Sequence, residues 1–570
     1  MDFDDVLLEV GEFGRYQQLL LIFFLLPPQL SGSFHGFVQM FIVAVPGDYW
    51  CRVPQAGLFN SSSPHMLDLP LELVDGKAEH SKCSTFAGQF SNISTNLADQ
   101  RQLNRNVTIP CSDGWNYDRS EYETSIAMDW DLVCDHSFLP TLSMFIHTIG
   151  TLLGTVISGY LTDQIGRKMT FYIAAMIQLT AGVATVFSPN FIVFCVIRFL
   201  HGLTIVPVWL IPLIMALEFT GPSKRAPVGT TVALVFTFGV IGLGGLAYLL
   251  RTWVSLQLAV TLPFVFMIGY YWWMPESPRW LMSRGRFAEM LRIVRKMAKV
   301  NRAQLSEEYF EELLIKCQKS QTEATSERKY VIMDLFRTPN LRRKSCLIIF
   351  NSFANYAVYS GLNFFIPHLG GNDHIDFIYG ALIELPAYPA MYFALNRFGR
   401  RVLLMFSMLL GGAFLIATAL VPSENHLAVI LLFLTSKFWM TFSFFVTDLV
   451  ASELFPTVLR GAGASLTQTV STIGLCLSPL IAHLGTHSLW LPLVIFGVLG
   501  MIGGLAALLL PETMNANLPE TLEEAEEFGK DMTWKDYLKF GGHTNNAAVC
   551  GDDRNMGLAT EATGMLPPDT

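Results

Sequence analysis

Two charged side chains stand alone in long apolar segments of the sequence. Glu384 lies in the stretch Ala381-Leu-Ile-Glu384-Leu-Pro386, and Lys437 lies in a second apolar segment further along the chain. A charge in a segment that can span a membrane is costly, and such residues usually mark a functional site. The carboxylate can attract the ammonium group of a substrate. Alternatively, Glu384 is a structural partner of Lys437, or a substrate competes for the pair.

Aromatic and polar side chains in other apolar segments add binding capacity. Aromatic rings attract cations through their faces, although an individual ring in a membrane bundle more often packs against neighbours or lipid. A lone intramembrane histidine more often makes a structural hydrogen bond than relays protons, so His35, His147 and His483 receive no role. The aromatic candidates are Trp209, Tyr356, Tyr359, Phe444 and Phe445.

A second set of charges occurs twice along the chain. Asp163-Gln-Ile-Gly166-Arg167-Lys168 corresponds to Asn396-Arg-Phe-Gly399-Arg400-Arg401, Glu218 and Arg225 correspond to Glu453 and Arg460, and Pro275-Glu276 corresponds to Pro511-Glu512. The three offsets are 233, 235 and 236 residues, by subtraction of these positions. Motifs that recur in order at nearly one offset predict two homologous halves, an architecture known among transporters.

The repeated charges lie at predicted helix ends, where carboxylates and guanidinium groups can pair across helices. Arginine suits such pairs because its planar fork bonds a carboxylate with two hydrogen bonds. Plain membrane anchoring is the alternative, but anchoring does not need the acids, which favours a gate. The predicted inner-gate residues are Asp163, Arg167, Glu218, Arg225, Glu276, Arg279, Arg400, Glu453, Arg460 and Glu512.

The composition indicates that lipid surrounds the elements that carry these residues. Of 570 residues, 51% are hydrophobic and 15% are charged, against about 25% charged in soluble domains. Charge-poor segments of about 20 residues are long enough for one membrane crossing each, and the sequence contains twelve of them. We expect each to be a helix, because a helix satisfies its backbone hydrogen bonds internally where lipid offers no partners. The net charge of −9 gives no reason to expect nucleic-acid binding.

Lysines and arginines of the short loops cluster on one side, which predicts cytoplasmic termini. The N-terminus is acidic and lacks the basic region of a cleavable signal peptide. The predicted organisation is a cytoplasmic N-terminus (1–15), helix 1 (16–45), an extracellular loop (46–135), helices 2–6 (136–275), a cytoplasmic loop (276–343), helices 7–12 (344–511) and a cytoplasmic tail (512–570). In the cytoplasmic loop the apolar spacing predicts amphipathic helices over 286–300 and 305–317, and we expect the tail to be disordered after Glu520.

The long loop 46–135 carries two signs of an extracellular location. It holds three glycosylation sequons, at Asn60, Asn92 and Asn106, and four cysteines, Cys51, Cys83, Cys111 and Cys134. Together they predict a glycosylated, disulfide-bonded domain, and four cysteines allow three pairings that the sequence does not separate. Free thiols in a flexible loop are the alternative interpretation. The remaining cysteines show no metal-ligand spacing, and no phosphate-binding loop or catalytic motif occurs, so we predict no metal, no cofactor and no enzyme activity.

Several longer motifs resemble one family of transporters. Gly159-Tyr-Leu-Thr-Asp163-Gln-Ile-Gly166-Arg167-Lys168 resembles the signature loop of the major facilitator superfamily. Pro275-Glu-Ser-Pro-Arg-Trp-Leu281 resembles the end of helix six in its sugar- and organic-ion-transporting members. The four-cysteine loop, Trp130-Asp-Leu-Val-Cys134 and Ala451-Ser-Glu453-Leu-Phe-Pro-Thr457 narrow the resemblance to the organic cation, carnitine and organic anion transporters, over residues 5–530. It implies an all-α membrane protein of twelve helices in two six-helix halves.

The resemblance also ranks the site residues. Glu384 corresponds to a cavity acid of the family's eighth helix, Lys437 to a position that is often basic, and Thr472 to one that carries Asp in cation carriers and Arg in anion or carnitine carriers. The neutral Thr472, and Leu213 where cation carriers often have Tyr, are departures. One acid and one base suit a zwitterion or small amine. The predicted substrate-binding residues are Glu384, Lys437, Trp209, Tyr359, Thr472 and Gln468.

Asp448 does not fit the family pattern, and it is either a proton site or a partner of a basic residue near the inner gate. The predicted function is a plasma-membrane secondary transporter or facilitator of small organic cations or zwitterions that works by alternating access. Two alternatives are an organic anion carrier of the same fold and a receptor or regulatory protein on a transporter scaffold. Asn396, which replaces the acid of the first half, weakly favours the latter.

Overall fold

The computed structural model describes residues 3–52, 70–74, 77–87, 104–324, 331–422, 425–514, 516 and 519–530. Of the three predicted glycosylation sites, Asn60 and Asn92 lie outside the described residues, and Asn106 lies in the strand Asn104–Pro110. The tail was predicted to be disordered after Glu520, and this is wrong for its first part, which forms the helix Leu522–Glu527 with Ala525 buried. Residues 531–570 lie outside the described residues.

Most of the described chain forms long apolar helices. Ten of them are long and apolar enough to cross a membrane: Arg15–Ile42, Cys134–Ile165, Arg167–Val186, Phe191–Glu218, Pro222–Leu249, Trp253–Trp273, Arg400–Leu420, His426–Leu454, Thr457–Thr486 and Trp490–Leu508. We number them spans 1–6 and 9–12 in chain order. Tight turns at the predicted places, Ser188-Pro189-Asn190 and His487-Ser488, separate spans 3 and 4 and spans 11 and 12.

Two further helical elements occupy the places of spans 7 and 8. Span 7 is Pro339–Phe365, and span 8 consists of Asp373–Leu382 and Glu384–Phe398, which meet at Ile383. Both are less apolar than the other ten, because span 7 buries asparagines and span 8 carries Glu384 among its prolines. The ten spans and these two elements are consistent with the predicted twelve, and the all-helical fold of two halves is confirmed.

The helices pack into two halves that touch at one face of the bundle. We call the face with the strand-rich residues 104–134 the loop face, and the opposite face, with the N-terminal helix and residues 519–530, the terminal face. At the loop face one apolar core joins residues of both halves, among them Val38, Trp253, Phe377 and Phe496. At the terminal face each half has its own core. The halves therefore part towards the terminal face.

Amphipathic helices cover the terminal face of the first half. The loop after span 6 forms Pro278–Ser283, Phe287–Asn301 and Glu307–Ala324, close to the predicted positions. The segment 1–15, predicted as a cytoplasmic N-terminus, contains a helix, Phe3–Val10, whose apolar side chains Phe3, Val6, Leu7 and Val10 are buried. Asn301 fixes it, because its Nδ2 donates to the Val10 carbonyl oxygen at 3.1 Å and its Oδ1 accepts from the Tyr16 amide at 2.9 Å.

The loop face carries three antiparallel strand pairs. Tyr49–Cys51 pairs with Trp115–Tyr117, Leu71–Val74 with Lys77–His80, and Ser84–Ala87 with Asn104–Pro110. Two disulfides crosslink this region, Cys51–Cys111 and Cys83–Cys134, with sequence separations of 60 and 51 residues. The structure confirms that the four cysteines form disulfides and selects one of the three pairings that the sequence left open.

We expect none of these four cysteines to react with an alkylating reagent before reduction. Peptide mass mapping of the unreduced protein should find Cys51 joined to Cys111 and Cys83 joined to Cys134. Cys346 is a free and exposed thiol, so its alkylation in the same sample is the positive control. Alkylation of all four loop cysteines without a reductant would contradict the disulfides.

Candidate substrate-binding site

Glu384 and Lys437 form a buried ion pair in the second half. Lys437 Nζ lies 3.5 Å from Glu384 Oε1, and the two side chains are 0% and 2% exposed. Glu384 begins the second segment of span 8, and Lys437 lies in the middle of span 10. Glycine at position 380 leaves room for the lysine, because a Cβ there would lie 2.9 Å from Nζ. The two isolated charges of the sequence therefore neutralise each other.

Hydrogen bonds from neighbouring spans hold the pair in place. The Tyr359 hydroxyl of span 7 donates to Glu384 Oε1 at 3.1 Å, and Thr237 of span 5 donates to Oε2 at 3.4 Å. Lys437 Nζ donates to Asn363 Oδ1 at 2.7 Å. A buried ion pair needs such extra partners because desolvation otherwise outweighs the attraction between the charges.

A group of aromatic rings lies beside the pair. Phe444 of span 10 packs on Tyr356 and Tyr359, with ring centroids 4.5 and 4.8 Å apart. Phe445 packs edge-on against Tyr388 at 5.0 Å, and the Tyr388 hydroxyl is within hydrogen-bond distance of Thr237 Oγ1 at 2.9 Å. The rings and the carboxylate together form surroundings in which an ammonium group is favourable.

The other predicted binding residues lie in three different settings. Gln468 Oε1 accepts a hydrogen bond from the Tyr356 hydroxyl at 3.0 Å, which places it at the aromatic group. Thr472 is buried and donates to the Gln468 carbonyl oxygen of its own helix at 2.8 Å. Trp209 is half-buried in the first half, where Gln29 of span 1 donates to its carbonyl oxygen at 2.5 Å. Within the described residues it shares no hydrogen bond or ring contact with Glu384.

Three polar residues around the pair were not predicted from the sequence: Asn363 and Thr237, which bond to it, and Tyr388, which bonds to Thr237. Asn363 stands in an apolar segment, where the cost of an intramembrane amide was a usable signal. Tyr388 follows Glu384 by four residues, which puts both on one helix face. Thr237 gave no signal, since threonines are common in these spans.

The repeated charges of the terminal face make the same contact in both halves. In the first half, Arg167 Nη2 lies 3.3 Å from Glu218 Oε1, and its Nη1 lies 3.5 Å from Asp163 Oδ1. In the second half, Arg400 Nε lies 3.6 Å from Glu453 Oε2. These pairs join different spans, and both members of each belong to the same half.

Glu276 and Glu512 bind backbone amides of the repeated loops. Glu276 Oε1 accepts from the amides of Arg167 at 2.9 Å and Lys168 at 3.2 Å, and Glu512 accepts from those of Arg400 and Arg401 at 2.8 and 3.2 Å. Both carboxylates therefore cap the N-terminus of the next span, where amides and the helix dipole favour an anion. Burial raises the pKa of Glu276, and these amide hydrogen bonds oppose the rise.

The remaining gate residues have partners that the sequence analysis did not foresee. Arg225 and Arg279 both bind the carboxylate of Asp4 on the N-terminal helix. Arg460, which corresponds to Arg225, donates to Thr457 Oγ1 at 3.3 Å. Among the described residues no ion pair of the terminal face joins the two halves. In this conformation the charges brace each half separately.

A charge exchange can test the Arg167–Glu218 contact. Arg167→Glu should slow transport several-fold, because it replaces an attraction of up to about 1 kcal/mol with repulsion between two carboxylates, and adding Glu218→Arg should restore part of the rate. The double variant Glu218→Arg, Arg225→Glu should not recover transport in this way, because Arg225 is bound to Asp4 and not to Glu218. Initial uptake rates normalised to surface abundance provide the measurement. Equal rescue by both exchanges would contradict the contact.

Histidines without an assigned role form a polar core in the first half. His201 Nε2 lies 3.0 Å from His35 Nδ1 and 3.1 Å from Gln178 Nε2, and His147 Nδ1 lies 3.1 Å from the Arg198 carbonyl oxygen. All are fully enclosed between spans 1, 2, 3 and 4. His483 lies apart from them, 3.0 Å from Thr141 Oγ1 of span 2. In the described part of the chain no group of three or more His, Cys, Asp or Glu side chains is arranged to hold a metal ion.

Comparison with known proteins agrees with this architecture. The family described as "Sugar (and other) transporter" matches residues 113–526. Three Drosophila melanogaster proteins are similar over nearly the whole chain. The beta-alanine transporter is 37% identical over 92% of this chain and 89% of its own length, the carcinine transporter 37% over 94% and 80%, and the organic cation transporter protein 36% over 95% and 98%.

A solved structure has the same fold. The proton:xylose symporter XylE of the major facilitator superfamily, bound to 6-bromo-6-deoxy-D-glucose, aligns with a TM-score of 0.53. The alignment covers 68% of this chain and 89% of the symporter at 19% sequence identity. At that identity the similarity concerns the arrangement of the helices.

Proposed function

We propose that this chain, which belongs to the organic cation, carnitine and organic anion transporter family of the major facilitator superfamily, carries small organic amines and zwitterions across the plasma membrane. The chain is a multi-pass membrane transporter and not an enzyme. The single observation that carries the substrate class is the Glu384–Lys437 pair, one carboxylate and one ammonium group 3.5 Å apart in a buried site.

A zwitterion matches this pair chemically. Its ammonium group can replace Lys437 at Glu384, while its carboxylate binds Lys437, so every charge in the site remains compensated. A simple amine can compete for Glu384 alone and use the rings of Tyr359 and Phe444 as cation–π partners. The names of the relatives, which include transporters of beta-alanine and carcinine, support small amines and amino-acid-like substrates.

The orientation follows from the disulfides and the charges. Disulfides persist in oxidising compartments, so we assign the loop face to the outside, with glycans on Asn60, Asn92 and Asn106. The terminal face, with both termini and the basic loops, is cytoplasmic. Because the halves touch at the loop face and part at the terminal face, this conformation is inward-facing, one of the two end states of alternating access.

The repeated charges act as a gate in this scheme. Arg167 with Glu218, and Arg400 with Glu453, hold each half rigid while it faces the cytoplasm. During closure the halves approach, and these side chains acquire partners in the opposite half. A change of a few kcal/mol suffices to shift such a two-state equilibrium.

Uptake measurements test the proposal directly. Cells that express the protein should take up radiolabelled β-alanine and the quaternary cation tetraethylammonium in a saturable manner, and each should inhibit uptake of the other. Cells with the empty vector provide the background. Uptake of the anion p-aminohippurate alone would favour the anion carrier, and no uptake of any probe by protein at the cell surface would favour the receptor.

A further inference from the structure

Asp448 lies on the inner side of span 10. It follows Lys437 by eleven residues, and at 100° per residue the two side chains differ in direction by about 20°. The exposed apolar side chains Leu427 and Leu431 of the same helix point roughly 80° and 120° away from Lys437 by the same rule. Asp448 is nevertheless exposed. Its carboxylate therefore faces the space between the halves and not lipid.

The charge of Asp448 is uncompensated. Among the described residues the carboxylate has no ion pair and no hydrogen bond, whereas Glu384 is neutralised by Lys437 and held by Tyr359. In this conformation Asp448 makes no ion pair with the gate arginines Arg167 and Arg400, which bind Glu218 and Glu453. The net negative charge on the inner side of span 10 comes from Asp448.

Aromatic rings stand next to this carboxylate. Phe444 precedes Asp448 by one helical turn and packs on Tyr356. The Tyr356 hydroxyl is within electrostatic reach of Asp448 and donates to Gln468 Oε1 at 3.0 Å. A free carboxylate one helical turn from Phe444 and within electrostatic reach of Tyr356 is chemically suited to an organic cation and unsuited to an anion.

The Glu384–Lys437 pair and Asp448 lie at two depths of the site and attract different substrates. The level of Glu384 and Lys437 has no net charge and accepts an ammonium and a carboxylate together. The level of Asp448 lies about 16 Å further along the helix, from eleven residues at 1.5 Å each, towards the terminal face where the halves part. A cation that lacks a carboxylate gains affinity from Asp448. A zwitterion gains little, because Asp448 repels the zwitterion's own carboxylate.

We propose that Asp448 is a specificity-determining residue that binds the ammonium group of organic cations at a second subsite, on the cytoplasmic side of the Glu384–Lys437 pair. The proposal rests on the proposed function of the chain as an amine and zwitterion carrier. It separates the two substrate classes by residue: the pair serves zwitterions, and Asp448 adds affinity for cations without an acid group.

The test compares Asp448→Asn, Asp448→Glu and Asp135→Asn with the wild type. Asp135 is exposed in the first turn of span 2, at the opposite face, so its variant makes the same chemical change away from the site. Purified protein is titrated with tetraethylammonium and with β-alanine, and the concentration of each probe that gives half of the maximal thermal stabilisation is recorded. Uptake of both probes is measured in cells at equal surface abundance.

Asp448→Asn should weaken the response to tetraethylammonium by about tenfold and change that to β-alanine by less than about twofold. Asp448→Glu should keep most of the cation response, and Asp135→Asn should match the wild type. An equal loss for both probes, or no loss for tetraethylammonium, would overturn the subsite while leaving the proposed function intact. Failure of the wild-type protein to respond to either probe would refute the proposed function, and the subsite with it. If Asp448→Asn does not fold, loss of the cation response in Asp448→Ser with an unchanged β-alanine response supports the subsite, and an unchanged cation response refutes it.

Discussion

Glu384→Gln is expected to abolish transport and to lower the abundance of folded protein at the cell surface by about an order of magnitude. The change removes the negative charge that compensates the Lys437 ammonium group, which is 0% exposed and keeps only neutral acceptors such as Asn363 Oδ1 among its described partners. Removing one member of a buried ion pair costs about 3–5 kcal/mol. Because a folded domain has a total stability of only about 5–15 kcal/mol, this loss is large. Surface biotinylation and the thermal unfolding midpoint in detergent measure it.

The double variant Glu384→Gln, Lys437→Gln separates folding from function. Replacing both charges removes the uncompensated ammonium group, and such replacements are often neutral for stability. The two amides can still bond to each other and to Tyr359 and Asn363. The double variant should therefore regain most of the surface abundance while its uptake of β-alanine stays near background. A single Glu384→Gln variant as stable as the wild type would show that the pair does not contribute as the geometry requires.

The sequence predicted those features that lipid imposes on the chain. Charge-poor segments marked the spans because lipid excludes unpaired backbone and most charges. The same cost drew attention to Glu384 and Lys437. The sequence did not reveal that Glu384 and Lys437 bind each other, since a single mid-span charge has the same sequence pattern whether its partner is a substrate or another side chain. If Glu384 awaited a substrate, Glu384→Gln would lower uptake and leave surface abundance intact, whereas the ion pair with Lys437 predicts the loss of both.

Features that depend on distant partners were not predictable. Asp4 lies 221 residues from Arg225, in a short helix that resembled an ordinary acidic terminus. Glu276 and Glu512 looked like arginine partners, but they bind backbone amides, which leave no trace in the sequence. The pairing of the four cysteines depended on strand pairs that the loop composition did not reveal.

Gly166→Ala is expected to destabilise the first half by about 2.5–6 kcal/mol, the sum of backbone strain of about 1–3 kcal/mol and weakened hydrogen bonds to a charged group of about 1.5–3 kcal/mol. Gly166 has φ +98° and ψ 168°, a conformation that residues with a Cβ rarely adopt. A Cβ there would lie 2.3 Å from Glu276 Oε2 and 2.9 Å from its Cδ. It would push the carboxylate away from the Arg167 and Lys168 amides that it caps.

Gly159→Ala is the matched control, because it makes the same change seven residues earlier in span 2. A Cβ at Gly159 would meet nothing within 4 Å, and alanine is favoured over glycine in a helix by about 1 kcal/mol. Gly159→Ala should therefore leave the thermal midpoint unchanged or raise it, whereas Gly166→Ala should lower it and reduce uptake.

The second half offers an independent repetition of the comparison. Gly399 has φ +84° and ψ 155°, and a Cβ there would lie 2.6 Å from Glu512 Oε2. Gly461, at the start of span 11, has nothing within 4 Å of a Cβ. Gly399→Ala should therefore behave like Gly166→Ala, and Gly461→Ala like Gly159→Ala. If the two repeated glycines tolerate alanine as well as their controls do, the carboxylates do not act as helix caps, and the repeated motif needs another physical reason.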